Sequence, residues 1–108
     1  MSGLHKKVDV QFSPRMTTSL GRCYPGRKLI RLNSVLGDPR NRELLAETLC
    51  HEMAHVAVFS FHGKKVKPHG VEWQALMMLA GYEPRVSIDA KEIAGHKRRT
   101  TSSKYVYT

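Results

Sequence analysis

The chain has 108 residues, 41% of them hydrophobic and 7% aromatic, which is enough for one modest core and little apolar surface beyond it. No apolar run approaches the ~18–20 residues a membrane span needs, and Met1 to Lys7 carries lysines with no apolar stretch behind them, so neither a membrane protein nor a secreted one is expected. The formal net charge is +9, with residues 38–60 net acidic and both flanks net basic, a distribution that suits a polyanionic partner such as DNA.

After the basic start, Val8-Asp9-Val10-Gln11-Phe12 alternates apolar and polar residues, the period of a half-buried strand. Ser13-Pro14 breaks it. Met16 to Tyr24 is rich in Thr, Leu and Tyr, with Gly21 at a bulge or a close approach of backbone. Pro25-Gly26 suits the centre of a type II turn, and Arg27 to Leu32 alternates again. Three short strands with tight connections predict an antiparallel meander, whose free edge an extended peptide can join.

Asp38-Pro39 reads as a helix start, with Asp38 as N-cap and Pro39 in the first turn. The helix should run to about Ser60 with no internal Gly or Pro, a rigid platform. On it lies His51-Glu52-Met53-Ala54-His55, an H-E-x-x-H sequence. Histidines four residues apart are about 40° apart in azimuth and roughly 6 Å apart along the axis, close enough to share one Zn²⁺. Glu52 lies to one side, where a carboxylate takes a proton from a metal-activated water. Leu44, Leu45, Leu49, Met53 and Val56 make the helix apolar almost all round, leaving only Glu43 and Glu47 as an exposed stripe. Two histidines buried there without a partner are costly, and a metal offsets that cost.

Phe61 to Pro68 is a basic loop carrying Lys64, Lys65 and Lys67. Val71 to Ala80 forms a second helix that packs on the first through Trp73, Leu76, Met77 and Ala80, ending at Gly81. Val86-Ser87-Ile88 and Lys104-Tyr105-Val106-Tyr107 are strand-like, and the run from Lys97, Arg98 and Arg99 to Ser103 looks solvated. The tentative nucleic-acid contacts are Lys64, Lys65, Lys67, Lys97, Arg98 and Arg99. Cys23 and Cys50 are expected as reduced, partly buried thiols.

A catalytic zinc takes three protein ligands and leaves one position open. His69, beside Gly70 at the start of the second helix, is the best third ligand; Glu72 competes, and His62 sits too near the end of the first helix. Gly70 would let backbone pass close to the metal. Val58 and Phe61 stand where the metzincin pattern needs Gly and His, which excludes that class. His5 and His96 are expected in solvent.

Together these segments resemble the SprT-like metalloprotease family, whose eukaryotic member Spartan cleaves proteins crosslinked to DNA. The likeness runs from about Val10 to Gly81. It is carried by Val10-Gln11, Arg15-Met16-Thr17, Gly21, Gly26-Arg27, Ile30-Arg31-Leu32, Glu47 to His55, and His69-Gly70-Val71-Glu72-Trp73. The last group is similar to the family's H-G-x-E-[FW] element, which supplies its third zinc histidine and so favours His69 over Glu72.

The resemblance implies an α+β fold: a minimal zincin-like protease with a three-stranded antiparallel sheet on the long H-E-x-x-H helix, a second helix and an open cleft. Many such chains continue from a Tyr-x-Tyr strand into a cysteine-rich zinc ribbon; Lys104 to Thr108 looks like that strand, and no C-x-x-C pair follows. The expectation is therefore one domain over 1–108, with a core at about 8–84 and a basic extension at 85–108 without the ribbon: either the sequence stops short of one or this member lacks it.

The function this implies is a zinc-dependent endopeptidase using Glu52 as general base on DNA-bound or DNA-crosslinked proteins. Such a protein would be a monomer in the cytoplasm or nucleoid of a prokaryote or virus, or in a eukaryotic nucleus. The competing reading is a basic nucleic-acid-binding module with a structural zinc; a third is a zinc hydrolase of non-peptide bonds.

Overall fold

The computed structural model describes residues 7–95 and 104–107. The fold is α+β. Strands β1 (Asp9–Ser13), β2 (Ser19–Tyr24) and β3 (Leu29–Asn33) precede the long helix α1 (Arg42–His62), then α2 (Val71–Leu79), β4 (Ser87–Asp89) and β5 (Lys104–Tyr107).

The sheet has five strands in the order β1-β3-β2-β5-β4 and is mixed. The expected three-stranded meander is corrected here. β2 and β3 are antiparallel neighbours, but β1 pairs in parallel with the far side of β3, Asp9 opposite Leu29 and Ser13 opposite Asn33. Burial explains the order: Leu29, Ile30 and Leu32 are all buried, so β3 belongs inside the sheet, while β1 is largely exposed and takes the edge. The β2–β3 connection also differs. Pro25–Arg27 form a 3₁₀ turn, and the left-handed residue is Lys28 (φ 49°) rather than Gly26.

Asp38 caps as expected, accepting from the Arg40 N–H, but what it caps is a 3₁₀ turn at Pro39–Asn41 that feeds into α1. Asn41 is buried at that junction, donating to the Val35 and Ala94 carbonyls and accepting from the Ala94 N–H. These bonds tie the start of α1 to a segment 53 residues later.

α1 is flanked on two sides. Leu44 and Val56 join Leu20, Ile30, Leu32 and Leu36 in the main core, while Ala54 and Val58 pack with Trp73 and Met77 of α2. Met53, expected among the buried positions, is 42% exposed because neither layer reaches it. Ile88, Ala90, Ile93 and Tyr105 are buried in the main core, so part of the stretch expected as a basic extension completes the core instead. α2 ends as expected at Gly81 (φ 92°), but Ala80 is exposed rather than part of the packing stripe. Among the described residues, no helix is long and apolar enough to cross a membrane.

Candidate metal centre

His51 and His55 leave α1 one turn apart, and His69 enters from the loop before α2. Their Nε2 atoms converge: 3.1 Å from His51 to His55, 3.2 Å from His55 to His69 and 3.2 Å from His69 to His51. Four-coordinate zinc at ~2.0–2.1 Å from each nitrogen needs donors about 3.3–3.4 Å apart, so the triangle fits with a shift of a few tenths of an ångström. His51 and His55 are buried and His69 partly so.

Burial is the main cause holding the rings neutral. It lowers the pKa of His51 to about 3, helped by the nearby His55 and His69 and opposed by a hydrogen bond with the Arg85 backbone. His55 is lowered to about 4, by burial and then by His69, and His69 is lowered by burial. Neutral imidazole is the form that offers a lone pair to a metal. Among the described residues this is the one group of three or more His, Cys, Asp or Glu side chains placed to share an ion. Glu72 is outside it, which leaves the competing ligand set without support, and His62 is exposed.

Residues 2–92 match the SprT-like family. The chain belongs to that family. Among its relatives, Protein SprT of Pseudomonas paraeruginosa is 31% identical over 102 residues, covering 87% of this chain and 59% of its own length. Protein SprT of Shewanella oneidensis is 38% identical over 72 residues, covering 60% of this chain and 46% of its own. The chain thus spans less than two thirds of the length of these relatives. No solved structure matches it.

Trp73 supports the SprT-like histidine cluster from α2. Its indole N–H donates to the His51 carbonyl at 3.2 Å, and its ring lies 4.6 Å, 5.6 Å and 4.8 Å from those of His51, His55 and His69. The sequence marked Trp73 for the core but carried no sign of this contact.

Arg85 is a second contributor that the sequence did not reveal. It donates to both carboxylate oxygens of Glu47 on α1, at 2.9 Å and 3.0 Å, and to Glu92 at 3.1 Å and 3.2 Å. Those bonds hold the chain after α2 against α1, where its backbone meets His51. No local pattern links positions 47 and 85.

Glu52 packs against β2 and is fully buried. Among the described residues neither carboxylate oxygen has a hydrogen-bond partner, and burial raises its pKa to about 9. Gly21 faces it. A Cβ there would lie 2.9 Å from Glu52 Oε2 and 2.9 Å from Thr48 Cγ2, so the expected close approach at Gly21 is an approach of strand to this glutamate. Cys23, two residues on, has its thiol pushed up to about 12 by burial and then by Glu52. Cys23 and Cys50 are free thiols.

Gly70 serves a different purpose from the one expected. The atoms nearest a Cβ there are Glu72 Oε1 and the Lys67 carbonyl, both at 3.2 Å, so the glycine permits a tight 67–70 turn. A cavity of about 470 Å³ opens beside His55, lined by Cys23, Pro25, Val58, Phe59, Val66 and others, with Lys64 at its margin. Lys64, Lys65 and Lys67 are exposed; Lys97, Arg98 and Arg99, like His5 and His96, lie outside the described residues.

Proposed function

We propose that this SprT-like chain is a zinc-dependent endopeptidase acting on proteins bound or crosslinked to DNA. The observation that carries the reading is the convergence of three neutral imidazole nitrogens within 3.2 Å on the helix that also bears an unpartnered, buried Glu52. Three imidazoles suit several transition metals; three ligands with an open fourth position suit catalytic zinc best. His51, His55 and His69 would hold the ion, which would supply Lewis acidity toward a carbonyl oxygen and toward water.

The protein's own groups do the rest. His51, His55 and His69 fix where the electrophile sits, with Trp73 and the Arg85 backbone holding the His51 side of the cluster. Glu52 takes the proton of the attacking water and passes it to the leaving amine. Burial raises its pKa, and a dication beside it would favour the carboxylate. The cavity beside His55 accepts a mainly apolar side chain of the substrate. The DNA link draws on the resemblance to Spartan and on the net charge of +9.

A structural zinc is closed by four protein ligands and needs no general base, and among the described residues the cluster here offers three. The deciding experiment is Glu52→Gln. The variant should keep its zinc while cleavage of a DNA-bound protein falls by roughly 10²–10⁴-fold. A zinc-loaded wild type inert on proteins with and without DNA would overturn the reading in favour of a nucleic-acid-binding module.

A further inference from the structure

On the face of the sheet opposite Glu52, Arg22 of β2 and Arg31 of β3 stand directly across from one another, both exposed. Like charges in that position destabilise an antiparallel pair. Arg31 and Arg27 also crowd the Tyr24 ring, with guanidinium carbons 5.6 Å and 5.7 Å from its centroid. Arg15 approaches from the loop after β1, so that Arg15, Arg22 and Arg31, with Thr17, Thr18 and Tyr24, line a cavity of about 270 Å³. No carboxylate lines it, and among the described residues none of the four arginines makes an ion pair. The acidic residues that are paired, Asp38, Glu47 and Glu92, engage Arg40 and Arg85 instead.

We infer that this arginine-lined hollow is a binding site for the sugar–phosphate backbone of single-stranded nucleic acid. The guanidinium fork matches phosphate oxygens two at a time, and a bound anion relieves the Arg22–Arg31 repulsion that the empty sheet face carries. Tyr24 limits the rotamers of Arg27 and Arg31 by cation–π contact, so less entropy is lost on binding. Guanidinium planes beside an aromatic ring give bases a stacking surface, which an acidic peptide does not use. β2 carries Arg22 on this face and Gly21, packed on Glu52, on the other, so the strand links a nucleic-acid face to the metal centre. The inference rests on the DNA-linked part of the proposed function for its purpose, and on nothing in the cleavage chemistry.

The test is fluorescence anisotropy of the full chain with a labelled single strand of about 20 nucleotides, across a salt series. Arg22→Gln/Arg31→Gln should weaken binding at least about tenfold at low salt and reduce the slope of log affinity against log salt by about 1.4, two phosphates' worth. Lys64→Gln/Lys65→Gln/Lys67→Gln removes more charge from another surface and should weaken binding less. Tyr24→Leu leaves the charge unchanged and should still weaken binding several-fold. Arg22→Gln alone removes one of two facing like charges, so its unfolding midpoint should not fall; it serves by itself if the double variant does not fold.

Equal or greater loss in the lysine variant, an unchanged salt slope in the arginine variant, tighter binding of a duplex of the same length, or equal competition by polyglutamate would each overturn the inference. Because binding is read without cleavage, its failure leaves the peptidase reading standing, and an inert enzyme leaves this site standing.

Discussion

Replacing Gly21 with alanine puts one methyl group between β2 and α1, at the point where the strand presses on Glu52. The new Cβ would meet Glu52 Oε2 and Thr48 Cγ2 at 2.9 Å each and Glu52 Cγ at 3.2 Å, where ordinary contact begins at 3.4 Å. Glu52 can swing its carboxylate aside. Thr48 cannot easily follow, because its hydroxyl donates to the Leu44 carbonyl at 2.8 Å and the residue is fully buried. Strand and helix must therefore part by about half an ångström, or the Thr48 bond must break. Overpacking of this kind costs about 1–3 kcal/mol, against which alanine recovers about 0.5–1 kcal/mol of the conformational freedom that glycine loses on folding. The net expectation is a loss of about 0.5–2 kcal/mol, seen as a drop in the urea midpoint or a fall of several degrees in Tm.

Turnover should fall further than stability implies, by roughly tenfold, since displacing a catalytic group by about 1 Å costs on the order of 10²-fold. Zinc content should be unchanged, because the displaced group is not a ligand. Gly26→Ala, where a Cβ meets nothing within 4 Å, is the matched control and should be neutral. A Gly21→Ala protein with wild-type midpoint and wild-type turnover would refute the claim that the strand positions Glu52.

Zinc should stabilise the folded chain by about 4 kcal/mol when present at a thousandfold excess over its dissociation constant, and should change the emission of the single tryptophan, Trp73, which lies against all three histidine rings. His69→Ala should abolish both responses; a full zinc-induced shift in Tm and fluorescence in that variant would sink the third-ligand assignment. Acid should destabilise the metal-free protein through the same rings. His51 and His55 have folded pKa values of about 3 and 4 against 6.5 when unfolded, so the stability they carry is complete above 6.5 and is lost as pH falls toward those values.

Between about pH 7 and about pH 5 each should cost about 2 kcal/mol. Glu52 runs the opposite way: its folded pKa of about 9 exceeds the unfolded 4.5, so its contribution is complete below 4.5 and is lost as pH rises toward 9. Urea titrations on the Glu52→Gln background isolate the histidine effect; a pH-independent midpoint there would show that the rings are not held neutral.

Local periodicity explains what could be read in advance. His51 and His55 share a face because of helical geometry alone, and the histidine Nε2 atoms do meet at 3.1 Å. The third ligand needed more than periodicity, since His69 arrives from a separate loop and residue type could not separate it from Glu72. Strand order was illegible for a different reason. The sequences of β1, β2 and β3 contain nothing that says which two flank the third, and only the burial of every β3 residue but Arg31 puts it inside. Met53 was misjudged because helical hydrophobicity does not reveal how far the neighbouring layers extend. The Glu47–Arg85 contact pairs residues 38 positions apart, a separation at which no pattern in one chain points to a partner.

His51 and Glu52 are both fully buried on consecutive positions of α1, one turned toward α2 and Trp73, the other toward β2. Burying a carboxyl with no hydrogen-bond partner among the described residues, as at Glu52, costs on the order of 1–3 kcal/mol, which a chain of this size can carry only at a few positions. The main core under the sheet, from Leu20 to Ile93, lies largely on α1's other contacts and supplies the stability that tolerates this. A dication shared by the three imidazoles removes much of the cost at once, and it draws Glu52 back toward the carboxylate form in which it can act as a base. Folding stability and the protonation state of Glu52 are therefore linked, and Gly21, by setting how closely β2 approaches α1, acts on both.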